Sequence, residues 1–218
     1  MDSTAALNRA ELSAAVEPAG WRLILGDLCT QAAAASTRQS AEAAAALAAV
    51  PVDKAELRLD ARSDRLLVTL AGALRNGRAP GAVAADAARL SARLRELGLT
   101  PEPATAQTAE IAIDALDIPA VLPFWQAVLG YVKDSDDAVT DPAGKGPSFW
   151  FQQMDAPRPQ RNRVHIDVVV PHDQAQSRIR AALAAGGTLR YDAEAPAFWV
   201  LADPEGNEAC VCTWQARD

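Results

Sequence analysis

The side chains that could do chemistry gather in the second half of this 218-residue chain. Both histidines, His165 and His172, lie there, and no histidine precedes position 165. Histidine titrates near neutral pH, so proton transfer has to draw on this region first. Glu208 and Cys210 stand two residues apart in a stretch that reads as the final strand. The two-residue period of a strand puts them on one face. Cys210 can act as a soft metal ligand, or it can be, with Cys212, a small buried hydrophobe. Four of the five tryptophans, Trp125, Trp150, Trp199 and Trp214, fall in the same half, whereas Trp21 is the only aromatic residue in 1–99. Trp125, on a helix face, reads as core. Trp150 and Trp199, on strands, suit a flat organic ligand.

These residues need elements to position them. From residue 110 the pattern gives a strand at 110–116, a helix at 119–129 stopped by Gly130, a short strand near 131–132 and another at 148–153. Then it starts again, with a strand at 163–169, a helix at 173–185 and a stop at Gly186-Gly187. Strands near 188–191, 197–201 and 208–214 follow. The two stretches superpose, helix over helix and Asp114 over Asp167, which marks a duplicated unit. Each unit alone leaves a sheet face uncovered, so pairing buries a common core and leaves a curved cleft. Segments 134–146 and 154–162 are polar and rich in breakers and read as loops at its mouth. Asp134, Asp136 and Asp137 lack the spacing of a calcium loop and read as a solvated turn. His172 precedes a helix and reads as a surface residue.

The first half is organised differently. A helix at 5–16 stops near Pro18 to Gly20, and a strand at 21–25 turns at Gly26-Asp27 into a returning strand. Ser36 or Thr37 can cap a helix running to 49, which Pro51 ends. A hairpin pairs 55–60 with 65–71, and a helix at 81–97 carries Val83, Ala87, Leu90, Leu94 and Leu97 at helical spacing. The order is α-β-β-α-β-β-α. The TPEPATAQ stretch breaks the composition and reads as a linker. The chain is therefore read as α+β, with a domain at 1–99, a linker at 100–108 and a domain at 109–218.

Charge and cysteine content exclude several roles. Lys and Arg number 21 against 28 Asp and Glu, a net charge of −7 with no basic cluster, which argues against nucleic acid. The same anionic surface would be repelled by an acidic membrane. No apolar run is long enough to span a bilayer, and the first residues lack the pattern of a signal peptide. Three cysteines, Cys29, Cys210 and Cys212, make no paired framework, and a reducing cytoplasm is the simplest compartment.

Three stretches carry a resemblance: Val164-His165-Ile166-Asp167-Val168, the stop Ala185-Gly186-Gly187, and Leu201-Ala202-Asp203-Pro204-Glu205-Gly206-Asn207-Glu208. With them residues 111–214 resemble the glyoxalase, bleomycin-resistance and extradiol-dioxygenase superfamily, the vicinal oxygen chelate proteins. The resemblance implies paired βαβββ units and, in metal-using members, ligands on the first and last strands of each unit. His165 stands at one such position and Cys210 at another, with Glu208 on the same strand face. Gln152 or Gln153 could contribute from the first unit, whereas Ala112, the counterpart of His165, cannot bind metal. Residues 12–99 are similar in layout to pterin-4a-carbinolamine dehydratase, on Gly20-Trp21, the helix before Pro51, the hairpin after it and Asp86. That family's His-His-Pro motif is replaced here by Ala49-Val50-Pro51, and 70–73 holds no histidine.

The reading is a protein that binds a small-molecule ligand in the cleft, with Trp150, Gln152, Trp199 and Cys210 as ligand contacts, without the usual metal and as a homodimer. Two alternatives stay open. One is a metal-dependent lyase or isomerase of glyoxalase type using His165 and Glu208 as ligands or as an acid/base pair. The other is a 4a-hydroxytetrahydrobiopterin dehydratase acting through the first domain. The sequence names no cofactor.

Overall fold

The computed structural model describes residues 9–52, 56–72, 79–157, 166–213 and 215–216. It divides into two compact units, Met1–Thr108 and Ala109–Asp218.

In the first unit α1 (Arg9–Val16), α2 (Thr37–Ala48) and α3 (Pro80–Glu96) accompany a sheet of β1 (Arg22–Ile24), β2 (Asp27–Ala33), β3 (Glu56–Ala61) and β4 (Arg65–Ala71) in the order β1-β2-β4-β3, every pair antiparallel. Alternation sets the buried face: Leu28, Thr30 and Ala32 of β2 and Leu66, Val68 and Leu70 of β4 turn inward. They meet Leu12 and Val16 of α1, Leu47 of α2, and Val83, Ala87, Leu90 and Leu94 of α3. Ser36 is the residue that caps α2, its side chain accepting from the Gln39 backbone N–H at 3.2 Å. The first turn falls at Leu25-Gly26, one residue before the position expected. Ile24 pairs with Asp27, and both central residues take positive φ, 49° and 92°. A two-residue hairpin with the twist of its strands requires that conformation, which glycine supplies at the second position.

The stretch read as a linker is docked. Pro101 forms a bridge with Ala32, and the Glu102 N–H donates to the Gln31 carbonyl at 2.7 Å. Leu99 is buried in the same core. Residues 99–102 thus complete the edge of β2 that the three-residue β1 leaves open.

The second unit repeats one pattern. Its first half is β5 (Glu110–Ala115), α4 (Ile118–Leu129), β6 (Val132–Ser135), β7 (Ala138–Thr140) and β8 (Ser148–Gln153). Its second half is β9 (Asp167–Val169), α5 (Ala175–Ala184), β10 (Thr188–Tyr191), β11 (Phe198–Ala202) and β12 (Glu208–Cys212). The sheets have matching topology, β5-β8-β7-β6 and β9-β12-β11-β10, with the first strand of each parallel to the last. Both sheets and both helices share one core, built on Phe124, Trp125, Phe149, Phe151, Leu201 and Val211.

The short strand expected near 131–132 is β6, which runs on to Ser135, and the segment 134–146, expected as a loop, holds its end, the turn and β7. All of β6 is exposed, so its residues carry no apolar alternation to be read. Lys133 bonds Asp136 and Ser135 bonds Asp137, both at 2.6 Å, across the turn. The expected strand at 163–169 is described only as Asp167–Val169, because 158–165 lie outside the described residues.

Candidate functional site

Each sheet of the second unit turns one face to the shared core; the other face is open on the first sheet, whereas on the second it carries the buried residues Val200, Cys210 and Cys212. On β8 Phe149 and Phe151 point inward, so Ser148, Trp150 and Gln152 take the open face. On β5 Ile111, Ile113 and Ala115 point inward, leaving Glu110, Ala112 and Asp114 outside. The register places Ala112 of β5 beside Trp150 on one side and Ala138 of β7 on the other. The half-buried indole is thus flanked by two methyl groups, with no bulky neighbour in its row. Gln152 is exposed one step along, opposite Asp114. Gln153 is engaged elsewhere, its amide donating to the carbonyls of Leu116 at 2.8 Å and Met154 at 3.0 Å.

The second sheet corrects one assignment. Trp199 is 9% exposed and belongs to the common core with Leu201, Ala209 and Val211. Its ring therefore lies on the helix-packed face and not on the opposite one. Phe198, Val200, Cys210 and Cys212 form a separate cluster on the opposite side. Glu208, half-buried and opposite Ala202, shares the strand face of Cys210. The Cys210 position pairs with Asp167 of β9. His165 and Trp214 lie outside the described residues, and His172 is exposed.

Cys210 is chemically quiet. Burial pushes its thiol up to about 12, helped by the charge of Asp167, by the hydrogen bond it donates to that carboxylate, and by Cys212 and Glu208. A thiol held so high supplies almost no free thiolate at neutral pH for a nucleophilic step. The folded state thus prefers the protonated form. Its stabilising contribution is complete below the unfolded thiol's value of about 8.5 and is lost as pH climbs toward the folded value. Iodoacetamide at pH 8 should leave Cys210 intact in the native protein and alkylate it in urea. Peptide mass mapping that finds equal labelling in both states would contradict this environment.

Of the metal positions implied by the vicinal oxygen chelate resemblance, Ala112 has no donor atom and His165 lies outside the described residues. Among the described residues no group of three His, Cys, Asp or Glu side chains could hold a metal ion.

One arrangement was not anticipated. The DPEGN turn is an inter-repeat clasp. Asp203, 2% exposed, accepts from the Trp125 indole N–H at 3.0 Å and from the backbone N–H groups of Glu205 and Asn207 at 2.9 Å. Glu205 reaches the junction of β5 and α4, accepting from the N–H of Leu116 at 2.8 Å and of Asp117 at 2.6 Å. Its counterpart in the first repeat is Asp141-Pro142-Ala143-Gly144, before β8. There Asp141 accepts from the N–H groups of Ala143, Lys145 and Gly146 at 2.8–2.9 Å, which hold its carboxyl below the usual range. Gly144 and Gly206 both take positive φ, 64° and 92°. The repeated D-P-x-G was the sequence signal for this second turn, and Ala143 in place of Glu205 shows why only one of the two reaches across.

Residues 110–212 match the family model described as a glyoxalase-like domain. No curated protein matches the chain. Among solved structures, a glyoxalase-related enzyme from Fulvimarina pelagi is 19% identical, with 49% of this chain and 87% of that one covered and a TM-score of 0.40. A glyoxalase/bleomycin resistance protein/dioxygenase family enzyme from Burkholderia phytofirmans PsJN is 20% identical, with 48% and 98% covered and a TM-score of 0.40. The fosfomycin resistance protein FosX from Mesorhizobium loti is 9% identical, with 48% and 88% covered and a TM-score of 0.38.

Proposed function

We propose that the glyoxalase-like domain at 110–212 binds a small, flat organic ligand on the open face of its first sheet, without a resident metal. The observation that carries this reading is the seat of Trp150 between Ala112 and Ala138. An indole buried on both sides would be core. This one is half-exposed, and the small neighbours leave room for a second ring to lie against it. Gln152, one step away on the same face, offers both a donor and an acceptor to orient the ligand.

The metal-dependent alternative rests on His165 and Glu208; Glu208 stands half-buried on the strand face of Cys210, and His165 lies outside the described residues. We do not assign a carbinolamine dehydration to the first unit, because residues 1–108 contain no histidine. We read that unit as serving dimerisation or ligand shaping.

A thermal-shift screen of aromatic compounds, followed by equilibrium dialysis of the hits, tests the reading. Trp150→Ala should weaken binding by at least about fivefold, the lower end of the 1–3 kcal/mol that an aromatic stacking contact contributes. Its circular dichroism should stay native, because the ring is not part of the common core. Hits that bind the variant as tightly as the parent would sink the assignment. Stoichiometric zinc, nickel, manganese or iron in protein purified without chelator would remove its metal-free clause.

A further inference from the structure

We propose that β3 is the edge at which two copies of this chain join, pairing antiparallel about a two-fold axis at Leu59. The inference rests on the dimerisation reading of the first unit and gives it a surface. In the order β1-β2-β4-β3 this strand ends its sheet, and among the described residues it pairs with β4 alone. Its inner ladder fixes what the outer edge offers. The Arg62 N–H donates to the Arg65 carbonyl at 2.9 Å across the Ser63-Asp64 turn, so the backbone of Arg62 faces β4. An antiparallel strand turns the N–H and C=O groups of alternate residues to opposite sides. Those of Asp60 and Arg58 therefore face β4, and Leu57, Leu59 and Ala61 present theirs outward. Such an edge is a template for another strand.

A second copy of β3 is complementary to that template in the register centred on Leu59. Leu59 then lies opposite the partner's Leu59, and Leu57 opposite the partner's Ala61, so outward groups meet outward groups in about six hydrogen bonds, two per pair. Arg58 stands opposite the partner's Asp60, twice by symmetry, in the closer non-hydrogen-bonded positions. Centring on Arg58 would set that guanidinium against its own copy. Centring on Asp60 would oppose two carboxylates and set Arg58 against Arg62. Like charges directly opposite destabilise a strand pair, whereas opposite charges stabilise it. Asp60 already accepts from Arg62 of its own chain at 2.6 Å, and a carboxylate has lone pairs for a second donor. The other face of the strand gains as well. Leu57 and Leu59 are only half-buried against the core of the first unit. Pairing lays Leu59 beside its own copy and extends that core across the axis.

The test uses the full chain and two charge reversals, Arg58→Asp and Asp60→Arg, in sedimentation velocity at low salt. Both side chains are exposed, so each variant should keep the circular dichroism of the parent. The parent should sediment as a dimer in the micromolar range. Each reversal alone opposes like charges twice and should weaken its homodimer at least about tenfold. Mixed in equal amounts, the two variants restore both opposite pairs. The mixture should dimerise about as tightly as the parent, with the heterodimer dominant in native mass spectrometry. Amide exchange within 56–61 should also slow as the parent's concentration rises, because the outward N–H groups become bonded. Three other outcomes count against the proposal. A parent dimer that neither reversal weakens would overturn the β3 edge and leave the dimerisation reading standing. Weakening by both reversals with no rescue on mixing would overturn the register and the proposal with it. A parent that stays monomeric throughout that range would overturn the edge and the dimerisation reading together.

Discussion

Asp203→Ala lowers the stability of the second unit by about 3–5 kcal/mol. The carboxylate is 2% exposed and accepts four N–H donors: the Trp125 indole, the Glu205 and Asn207 backbones, and the Asn207 side chain at 2.9 Å. A hydrogen bond to a charged acceptor contributes about 1.5–3 kcal/mol, and an unsatisfied buried donor costs about 1–3. Trp125 is 1% exposed, so its N–H has no route to water once the carboxylate is gone. The turn donors are nearer the surface and recover part of their loss. Asp203→Asn separates these contributions. Its oxygen can still serve the Glu205 and Asn207 backbones, but its NH2 faces two donors, the indole and the Asn207 amide. About half of the loss should remain. Hydrogen exchange resolved by peptide is the measurement, because it reports each unit separately in the full chain. Protection of β8, β11 and β12 should fall and that of β2 and β4 should hold. A loss under about 1 kcal/mol would mean the clasp is ornamental to stability.

The legibility of this fold depended on which elements had one buried face. Helix α4 and its Gly130 stop, helix α5 with its glycines, and the DPEGN turn could all be read, because each needs particular residues at particular places. The hairpin β6–β7 could not. Its outer strand is exposed on both faces, so nothing apolar marks its period, and only Val139 of β7 is buried. The face of Trp199 was illegible for the opposite reason. In Phe198–Ala202 the last four residues are all buried, so alternation vanishes and either phase fits. The register with β12 decides it, opposing Trp199 to the core residue Val211 and Val200 to Cys210. The face of Trp150 was no more legible, since Phe149, Trp150 and Phe151 are all large and apolar, and only the burial of Phe149 and Phe151 turns Trp150 to the other face. The small partners that make its ring available, Ala112 and Ala138, lie 38 and 12 residues away in sequence and only the register joins them.

The second large effect lies in the first unit, where Trp21→Ala should cost about 3–5 kcal/mol. Trp21 is fully buried among the side chains that join α1 and α3 to β2, and it is the only large ring in that core. Truncation leaves a void too deep in the core to be filled by neighbours such as Leu12, Leu28 and Leu90 without moving backbone. A second contribution is polar. The indole N–H donates to Ser91 Oγ at 2.7 Å, and that hydroxyl donates onward to the Ala19 carbonyl at 2.7 Å. Trp21→Phe keeps most of the volume and removes only the donor, so it should cost about 1–2 kcal/mol. Ser91→Ala should cost more than Trp21→Phe, about 1–3 kcal/mol, because it strands both the indole N–H and the Ala19 carbonyl. Combining Ser91→Ala with Trp21→Phe should then recover part of the loss, since the indole donor is gone and only the carbonyl is left unpaired. Exchange protection of β2 and β4 gives all four values. If the double variant proves as unstable as the sum of the two, the two side chains are not coupled, and the cost of losing Trp21 is packing alone.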